Sequence, residues 1–365
     1  MIETALAIGA AAYAVEFLLL RTGLKRGGLS RGEETQEPHV SVVVAARDEE
    51  QHIGDCLDSL LRLQYPPEKL EIIVVNDRSA DRTLEIAQER RRSHPQITVI
   101  TASPGEGNLR GKTNAVARGI EAYRGDILMF TDADCTVPPA WVKETVRSFE
   151  GRAGIVGGFT MLEARRPFEG VQALDWIFLF GIASAASGLG MPLTAVGNNL
   201  AVRREAYRST GGYKNIPFSV TEDYSLVRSI LKRGEHTLRF PINPAAVVRS
   251  KACQTWKQLF RQKQRWGVGG FDMVAGGKII MAIGWFLPAA LLLGAGQAAP
   301  GVWAGAAACK VLTDLYFLWK PLKSFKALYL LKYFFLFELY FPLYVVAMPF
   351  VALLSRNVVW KERKF

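Results

Sequence analysis

The chain has 365 residues, more than a single domain usually contains, so a soluble domain with an additional part is expected. Its formal net charge is +11, but no zinc-finger, aromatic RNA-binding or helix-turn-helix signature accompanies the charge, which argues against nucleic acid as a partner. The four cysteines, Cys56, Cys135, Cys253 and Cys309, form no Cys-x-x-Cys pair, which argues against a disulfide framework and a zinc site.

The N-terminal segment is predicted to enter the membrane. Residues 1–20 carry only two charged side chains, Glu3 and Glu16, and a membrane-spanning helix needs about 20 mostly apolar residues. A cleaved signal peptide is the alternative, but the segment lacks a basic start and a clear small-residue cleavage site. We therefore expect a transmembrane anchor at residues 1–22, followed by a linker rich in Gly, Arg and Glu at 25–38.

The next region alternates between β-branched runs and segments with apolar residues at helical spacing. The predicted strands are residues 40–46, 71–75, 97–101 and 127–131. The predicted helices are residues 49–63, 83–92 and 112–123. Strands that alternate with helices indicate a parallel sheet covered by helices, so the predicted fold class is α/β.

Further elements follow in the second half of this region. Residues 154–159 are predicted to form a strand, and residues 168–186 a helix that lies against a membrane or forms a lid. Asp175 and a Gly-rich end argue against a true span there. Thr221 or Ser219 is expected to cap a helix that runs to Lys232. Residues 252–268 indicate a basic amphipathic helix suited to the membrane interface, with its aromatic and leucine side chains, Trp256, Leu259, Phe260 and Trp266, on or near one face.

The C-terminal part is predicted to be a transmembrane region at residues 279–354. Residues 279–296 carry no charge and residues 333–354 only Glu338, whereas Lys310 and Asp314 make residues 302–318 a poorer candidate. Four crossings that begin outside would leave the basic C-terminal end outside, against the positive-inside tendency, so residues 302–318 are the segment expected not to cross.

Basic residues flank the apolar segments. They are Arg21, Lys25, Arg26 and Arg31 after the first segment, Arg261, Lys263, Arg265 and Lys278 before the next, and Lys361, Arg363 and Lys364 at the C-terminal end. Positive flanks mark the cytoplasmic side and attract anionic lipid headgroups. The domain between the first two flanks is therefore predicted to be cytoplasmic, in a multi-pass protein of the cell membrane.

Two carboxylates, Asp132 and Asp134, follow the strand 127–131. Ligands bind at the carboxyl edge of α/β sheets, and carboxylate oxygens suit a divalent cation. Asp134, with Asp132 behind it, would then hold Mg²⁺ or Mn²⁺ across two phosphates. A solvated turn is the alternative reading of this pair.

Polar residues also follow the first two strands. Arg47, Asp48 and Glu49 end the first, and Asn76 and Asp77 end the second. Asp77 is placed to accept a hydrogen bond from a uracil N–H, with Asp48 or Glu49 near a ribose. Ordinary turn and helix-cap roles are the alternative.

Lys112 opens a helix directly after Gly111, where free backbone N–H groups suit a phosphate. The segment is not a Walker P-loop, and a solvated lysine is the alternative. Asp223 lies in the first turn of its predicted helix, where the dipole favours an ionised carboxylate that can act as a general base. Helix capping by Glu222 and Asp223 is the plainer reading.

Gln262, Arg265 and Trp266 share one face of the basic helix. The guanidinium suits diphosphate oxygens, and the indole suits the apolar face of a sugar or of an acceptor. A helix that rests on the membrane surface is the alternative, and both readings are compatible.

Together these motifs resemble family-2 glycosyltransferases of the processive or lipid-acceptor type, which have the GT-A fold. Members include cellulose and hyaluronan synthases and, closer in size and layout, ceramide glucosyltransferases and bacterial carotenoid or hopanoid glycosyltransferases. The resemblance covers residues 38–270 and is carried by these stretches: Ala46-Arg47-Asp48-Glu49, Asn76-Asp77, Gly111-Lys112, Asp132-Ala133-Asp134, Thr221-Glu222-Asp223 and Gln262-Lys263-Gln264-Arg265-Trp266.

The resemblance implies a Rossmann-like, mostly parallel GT-A sheet domain flanked by transmembrane helices. It also implies inverting transfer of a hexose from a UDP-sugar, with the metal at Asp134, the base at Asp223 and the helix of Gln262, Arg265 and Trp266 over the diphosphate. Asn76 departs from the usual acidic pair after the second strand.

The acceptor predicted by this resemblance is a membrane lipid. The spans that form a polysaccharide channel in the synthases are missing, which favours a single addition to a lipid hydroxyl. A short-chain polysaccharide synthase and a non-catalytic membrane scaffold are the alternatives, and the joint retention of Asp134, Asp223 and Arg265 argues against the scaffold.

Overall fold

The computed structural model describes residues 1–26, 37–270, 274–354, 359–360 and 363–364. Most of the predicted linker, with Arg31, and the C-terminal Lys361 lie outside these residues. A two-stranded ribbon pairs Val359–Trp360 with Arg363–Lys364 at the end of the chain.

Nine further strands precede this ribbon. They are β1 Val40–Ala46, β2 Leu70–Asn76, β3 Ile97–Thr101, β4 Ile127–Asp132, β5 Ala153–Gly157, β6 Thr160–Leu162, β7 Leu200–Arg203, β8 Thr237–Arg239 and β9 Val248–Ser250. Seven of them form one sheet in the order β3-β2-β1-β4-β7-β5-β8, and β6 pairs with β9. Only β7 runs antiparallel to its neighbours β4 and β5, so the predicted mostly parallel sheet is confirmed.

Twelve α-helices lie among the described residues. They are α1 Ile2–Arg26, α2 Ile53–Leu61, α3 Thr83–Ser93, α4 Gly111–Glu121, α5 Trp141–Val146, α6 Pro167–Gly188, α7 Arg204–Ser209, α8 Glu222–Leu231, α9 Trp256–Gly270, α10 Ala275–Gly294, α11 Pro300–Ser324 and α12 Phe334–Leu354. Both faces of the sheet are covered: Val42 and Val44 of β1 enter one apolar core, and Val43 enters the other. Two-sided burial explains why β1 carries consecutive valines, Val42–Val44, instead of alternating apolar and polar residues.

α2 begins four residues later than the sequence predicts. Asp48 has a φ of 50°, which interrupts a helix, and the Glu49 N–H donates to Thr83 Oγ1 at 2.7 Å. The Glu50 N–H donates to Asp81 Oδ2 at 3.0 Å. The segment is thus held as a turn against the loop after β2, which keeps Arg47 and Glu49 at the carboxyl edge of the sheet.

α6 is an interior helix rather than a surface element. Most of its side chains are buried, because it packs against the strands β6 and β8 on one side and against α1, α11 and α12 on the other. Its contact with α1 is close: a Cβ added at Gly23 would lie 2.0 Å from the carbonyl oxygen of Ala185. The expectation of a helix that lies on a membrane or closes as a lid is therefore wrong.

The aromatic residues of α9 do not share one face. Trp256 and Phe260 are 66% and 48% exposed, whereas Leu259 is buried. Positions 256 and 260 are four residues apart and point outward together, while positions 259, 263 and 266 face the protein. α8 also differs in detail, because Thr221 precedes it without forming a side-chain cap.

Four segments among the described residues are long and apolar enough to cross a membrane: α1, α6, α10 and Leu328–Leu354, which contains α12. α11 is not among them, yet it runs parallel to α1 along its whole length. At one end Glu3 Oε1 accepts a hydrogen bond from the Ala299 N–H at 3.0 Å. At the other end Lys320 Nζ donates to the Leu24 carbonyl.

The charges that interrupt α11 are paired inside this helical bundle. Lys310 Nζ lies 2.7 Å from Asp314 Oδ2 and 2.7 Å from Glu338 Oε2 of α12. The Tyr13 hydroxyl of α1 donates to Asp314 Oδ1 at 2.6 Å. Lys310 and Asp314 are therefore buried within the bundle and join three helices.

Candidate functional site

A cavity of about 230 Å³ opens at the carboxyl edge of the sheet, where β1 and β4 lie side by side. The strand order changes direction between these two strands, which is where open α/β sheets bind ligands. The structure brings ten of the residues singled out from the sequence together in its wall: Arg47, Glu49, Asp77, Lys112, Asp132, Asp134, Asp223, Gln262, Arg265 and Trp266. Asp48, the other residue expected near a ribose, is not among the described residues that line the cavity, and its Oδ1 accepts the Ala80 N–H at 2.8 Å.

The end of the cavity beside β1 and β2 is formed by an acidic side chain between two arginines. Asp77 is 2% exposed, and its carboxylate lies 3.8 Å from Arg47 Nη1 and 3.6 Å from Arg78 Nη2. Burial raises the pKa of Asp77, and the two guanidinium groups partly offset that effect. Asn76 is a turn residue, since its Oδ1 accepts the Ser79 N–H at 3.1 Å.

Acidic side chains crowd the centre of the cavity around one lysine. Lys112 Nζ lies 2.5 Å from Asp132 Oδ1 and 3.2 Å from Glu222 Oε1. Burial alone would lower the pKa of Lys112, but the two carboxylates outweigh it and raise that pKa. The ammonium group predicted to meet a phosphate is thus also the counter-ion of this acidic centre.

Asp134 forms no ion pair with any residue that the structure describes, although the charge of Lys112 lowers its pKa slightly. Burial, followed by the charges of Asp132 and Glu49, raises the pKa of Asp134 to about 6. Its contact with a neighbouring side chain is the Cys135 thiol, 3.4 Å from Oδ1. A divalent cation would relieve this crowding of negative charge.

The donor set fits a cation that is shared with a substrate. Within the described ranges, no three His, Cys, Asp or Glu side chains form a cluster that would hold a metal alone. Mg²⁺ and similar ions are often held by one or two carboxylates together with phosphate oxygens. Asp134, with Asp132 beside it, matches that pattern.

Asp223 lies at the start of α8 and is oriented by backbone groups. Oδ2 accepts the Gly197 N–H at 2.7 Å, and Oδ1 accepts the Tyr224 N–H at 2.8 Å. Burial and the neighbouring Glu222 raise the pKa of Asp223 to about 6, whereas Lys112 lowers it. The carboxylate is therefore ionised at neutral pH and more basic than an exposed aspartate.

The remaining wall comes from α9, which docks against the start of α8. A Cβ added at Gly269 would lie 2.5 Å from Thr221 Oγ1, so glycine permits this close approach. Gln262 Oε1 is buried and has no hydrogen-bond partner within the described part of the chain. Gln262 and Arg265 thus bring an amide and a guanidinium to the side of the cavity facing the sheet edge.

A buried ion pair fixes α9 against α6. Lys263 and Asp175 are in contact, with side chains 2% and 0% exposed. Lys263 Nζ also lies 4.6 Å from the ring centroids of Trp266 and of Tyr344 in α12. The helix that carries Arg265 and Trp266 is therefore connected directly to the membrane-length helices.

The sequence reasoning missed several wall residues, among them Asn198, Ser250 and Lys251 as well as Glu222 and Trp176. Glu222 was considered only as a helix cap, although its spacing from Asp223 made a second carboxylate predictable. Trp176 of α6 also lines the cavity, and its ring lies 5.4 Å from that of Trp266. No local sequence signal distinguishes Trp176, because it stands in an apolar helix whose burial is a tertiary property.

A family model described as glycosyltransferase-like family 2 matches residues 38–269. A beta-monoglucosyldiacylglycerol synthase of Synechocystis is 28% identical over 243 residues, which cover 64% of this chain and 48% of that protein. A poly-beta-1,6-N-acetyl-D-glucosamine synthase of Staphylococcus epidermidis is 25% identical over 264 residues, covering 71% and 61%. The chain therefore spans about half to three fifths of the length of these relatives.

One solved structure resembles the fold over nearly the whole chain. It is a mannosyltransferase of Pyrobaculum calidifontis in complex with GDP-mannose and Mn²⁺, with a TM-score of 0.60 and 21% identity. The match covers 93% of this chain and 99% of that protein. The GT-A architecture predicted from the sequence is confirmed by this similarity.

Proposed function

Because this chain belongs to glycosyltransferase family 2, we propose that it transfers a hexose from a UDP-sugar to a hydroxyl group of a membrane lipid, with inversion at the sugar carbon. The observation that carries the proposal is one cavity that joins a metal-binding carboxylate, a candidate base and the helices α6 and α9, which pack on membrane-length helices. The relative named for glucosyldiacylglycerol synthesis supports a lipid acceptor.

Asp223 is the proposed general base. Its carboxylate takes the proton of the acceptor hydroxyl as the oxygen attacks the anomeric carbon, and the bond from that carbon to the diphosphate oxygen breaks on the opposite side. The electron pair leaves with the nucleoside diphosphate. The Gly197 and Tyr224 N–H groups hold the carboxylate in position, and its raised pKa makes it a better base.

The donor is proposed to lie along the strand ends. Asp77 would accept the uracil N–H, with Arg47 and Glu49 beside the nucleoside. Arg265 would face the diphosphate, since a guanidinium fork matches phosphate oxygens. Lys112 adds a positive charge at the centre of the acidic group.

Asp134 and Asp132 are the residues proposed to hold Mg²⁺ or Mn²⁺, which would offset the negative charge of the leaving diphosphate. Replacing Asp134 by Ala is expected to lower turnover at least about 10²-fold, the scale of removing one key electrostatic stabiliser. The variant should still fold, because Asp134 lies at a strand end beside the cavity. Undiminished turnover of the unaltered protein in excess chelator would contradict the metal role.

We propose that residues 38–270 form the catalytic domain on the cytoplasmic side, with residues 1–22 as anchor and 279–354 as the C-terminal membrane region. The basic last turn of α1, with Lys25 and Arg26, and Lys278 near the start of α10 support this orientation. A lipid hydroxyl would then reach Asp223 from the bilayer, past the wall that α6 and α9 form together.

The test is to incubate membranes that contain the protein with radiolabelled UDP-glucose, UDP-galactose and, for comparison, GDP-mannose, and then to extract the lipids. We expect label from a UDP-sugar in a lipid that carries one added hexose. Membranes with Asp223→Asn serve as the matched control. Label confined to an aqueous polymer would instead favour the polysaccharide synthase alternative, to which the second relative belongs.

A further inference from the structure

The ends of α1 and α11 bring together a group of positive charges that the proposed active site does not use. Arg21 and Lys25 lie one turn apart on one face of α1, as do Tyr316 and Lys320 on α11. The two faces meet, because Arg21 Cζ lies 5.0 Å from the centroid of the Tyr316 ring. Lys320 Nζ also donates to the Leu24 carbonyl. Three cationic side chains are therefore gathered where two helices end side by side.

These charges are not compensated by the chain. Arg21, Lys25 and Lys320 form no ion pair with any described residue, and the charges that act on Lys320 are those of the other two. Elsewhere, the buried Lys263 and Lys310 each contact a carboxylate. The group at the ends of α1 and α11 thus carries a net positive charge that favours an anionic ligand.

The Arg21 guanidinium is enclosed by the protein on one side only. Its Nε and Nη1 are buried and have no hydrogen-bond partner in the part of the chain that the structure describes, whereas Nη2 is not enclosed. The Tyr316 ring packs against the same guanidinium as a cation–π partner. A ligand can therefore reach this group at Nη2, while the tyrosine ring limits where the guanidinium can lie.

The surroundings of the group are those of a membrane interface. Tyr316 and Trp319 are 47% and 44% exposed, and such aromatic rings are enriched at the level of the lipid headgroups. Leu18 lies one turn before Arg21, Leu312 lies one turn before Tyr316, and both leucines are more than half exposed. The cations thus adjoin an apolar surface that suits acyl chains.

We propose that Arg21, Lys25 and Lys320 bind the headgroup phosphate of an anionic phospholipid, whose acyl chains lie against Leu18 and Leu312. A guanidinium matches phosphate oxygens, and three positive charges favour a headgroup with net negative charge over a zwitterionic one. None of the three cations lines the catalytic cavity. The inference therefore adds a lipid site that does not depend on the identity of the acceptor.

The test uses purified full-length protein in a non-ionic detergent and follows the midpoint of thermal unfolding during a titration. A ligand that binds the folded state raises this midpoint by mass action, so the titration gives an apparent Kd. Phosphatidylglycerol should raise the midpoint. Phosphatidylcholine and inorganic phosphate at the same concentrations should leave it unchanged, which separates an anionic lipid from a zwitterionic lipid and from free phosphate.

Two variants test the guanidinium. Arg21→Met keeps an unbranched apolar stem, and its apparent Kd for phosphatidylglycerol should rise at least about tenfold, the scale of one lost hydrogen bond to a charged group. Arg21→Lys keeps the charge without the planar fork, so its Kd should lie between the other two. Without lipid, both variants should unfold close to the midpoint of the unaltered protein, because neither leaves a described group unpaired.

Lys25→Gln and Lys278→Gln form a matched pair. Each removes an exposed cation from a helix long and apolar enough to cross a membrane, but only Lys25 belongs to the site. The Kd for phosphatidylglycerol should rise about fivefold in Lys25→Gln, the effect of one cation near an anionic lipid surface, and stay within about twofold in Lys278→Gln. Because Lys25 is exposed, this pair decides the question even if Arg21→Met does not fold.

Several results would overturn the inference. An equal response to phosphatidylcholine would indicate a general effect of lipid, and a response to inorganic phosphate would indicate a site for the free anion. An unchanged Kd in Arg21→Met, or equal rises in Lys25→Gln and Lys278→Gln, would indicate diffuse attraction to a basic surface. A failure of the protein to label lipid from a UDP-sugar would contradict only the proposed function, because this site takes no part in the transfer.

Discussion

Asp223 shows how several neighbours act on one carboxylate. Two backbone N–H groups orient it, Glu222 raises its pKa, and Lys112 lowers that pKa while neutralising Glu222. Burial makes the largest contribution to the raised pKa of Asp223, so the basicity of this carboxylate depends on how the whole cavity wall is packed.

Replacement of Asp223 by Asn tests its role as base. The amide keeps the size of the side chain and one acceptor oxygen for the backbone, but it cannot take a proton. Turnover should fall at least about 10²-fold while the Kd for the UDP-sugar changes little, which isothermal calorimetry and a single-turnover assay would measure. Loss of nucleotide binding with retained turnover would make Asp223 a binding residue instead.

The pH dependence of turnover follows from the raised pKa of Asp223. A base with a pKa of about 6, against an ordinary value of 3.8, is lost to protonation as the pH falls through 6. We therefore expect kcat to drop below about pH 6, roughly tenfold for each further pH unit, in an assay saturated with metal and donor.

Two variants should move the acid limb of the pH profile, the fall of kcat at low pH, in opposite directions. Glu222→Gln removes a charge that raises the pKa of Asp223, so the limb should shift to lower pH. Lys112→Met removes a charge that lowers it, so the limb should shift to higher pH. A limb that stays in place in both variants would assign the titration to another group.

The residues of the site were largely predictable because each lies at the end of a strand or on one face of a helix. Asp77, Asp132 and Asp134 follow from the rule that parallel strands bring their carboxyl ends to one edge. Trp176 was not predictable in this way, since nothing in the sequence around it tells which residue of an apolar helix faces a cavity.

At the scale of elements, the first four strands were predicted to within one residue at each end, because each is a clear apolar run between loops. The short strands β6, β7, β8 and β9 were not predicted. Helix limits depended on contacts remote in sequence: α2 starts late because its predicted first turn bonds to Asp81 and Thr83. The surroundings of α6 were unpredictable for a related reason, because an apolar helix gives the same pattern in a membrane and in a protein core.

The buried Asp175–Lys263 ion pair holds α6 and α9 in contact with each other. Removing one partner of a buried pair leaves an unpaired charge and costs about 3–5 kcal/mol, whereas replacing both by apolar residues often costs little. We expect Asp175→Leu and Lys263→Met each to lower the midpoint of thermal unfolding in detergent, and the double variant to recover most of the loss.

An ion pair between two partly exposed side chains provides the control for these single and double variants. Lys251 Nζ lies 2.8 Å from Glu163 Oε2, with side chains 44% and 35% exposed. Lys251→Met should therefore change the unfolding free energy by less than about 1 kcal/mol. Strictly additive losses in the Asp175–Lys263 double variant would show that the two side chains are not coupled.

At the scale of the molecule, the helices long and apolar enough to cross a membrane are part of the fold. One apolar core runs from Leu6 and Phe17 of α1 through α6 to Phe337 of α12. α1 therefore does more than tether a separate domain, which the sequence alone did not indicate.

The alignment of α11 with α1 leads to a topology prediction. Each has 25 residues, and their ends lie side by side, so a membrane that α1 crosses is crossed by α11 as well. If the catalytic domain lies on the cytoplasmic side, as proposed above, Gln297 should be outside and Lys326 inside. This differs from the expectation based on charge, because Lys310 and Asp314 are paired within the protein.

Cysteine labelling tests this topology. In a background without native cysteines, Gln297→Cys should react with an impermeant maleimide in intact cells. Lys326→Cys should react only after the membrane is opened. Labelling of both positions from the same side would mean that α11 does not cross.

Tyr344 connects α12, which is long enough to span a bilayer, to the helix that carries Arg265. The link is Lys263 of that helix, whose Nζ contacts the Tyr344 ring. A spanning helix changes its tilt to match hydrocarbon thickness, and a tilt of α12 would move Tyr344 against Lys263 and hence Trp266. Turnover should accordingly pass through an optimum as the acyl chains of the host vesicles lengthen, and Tyr344→Leu should flatten that dependence. Lipid composition would then set the rate of the proposed lipid modification, and turnover would report the thickness of the bilayer.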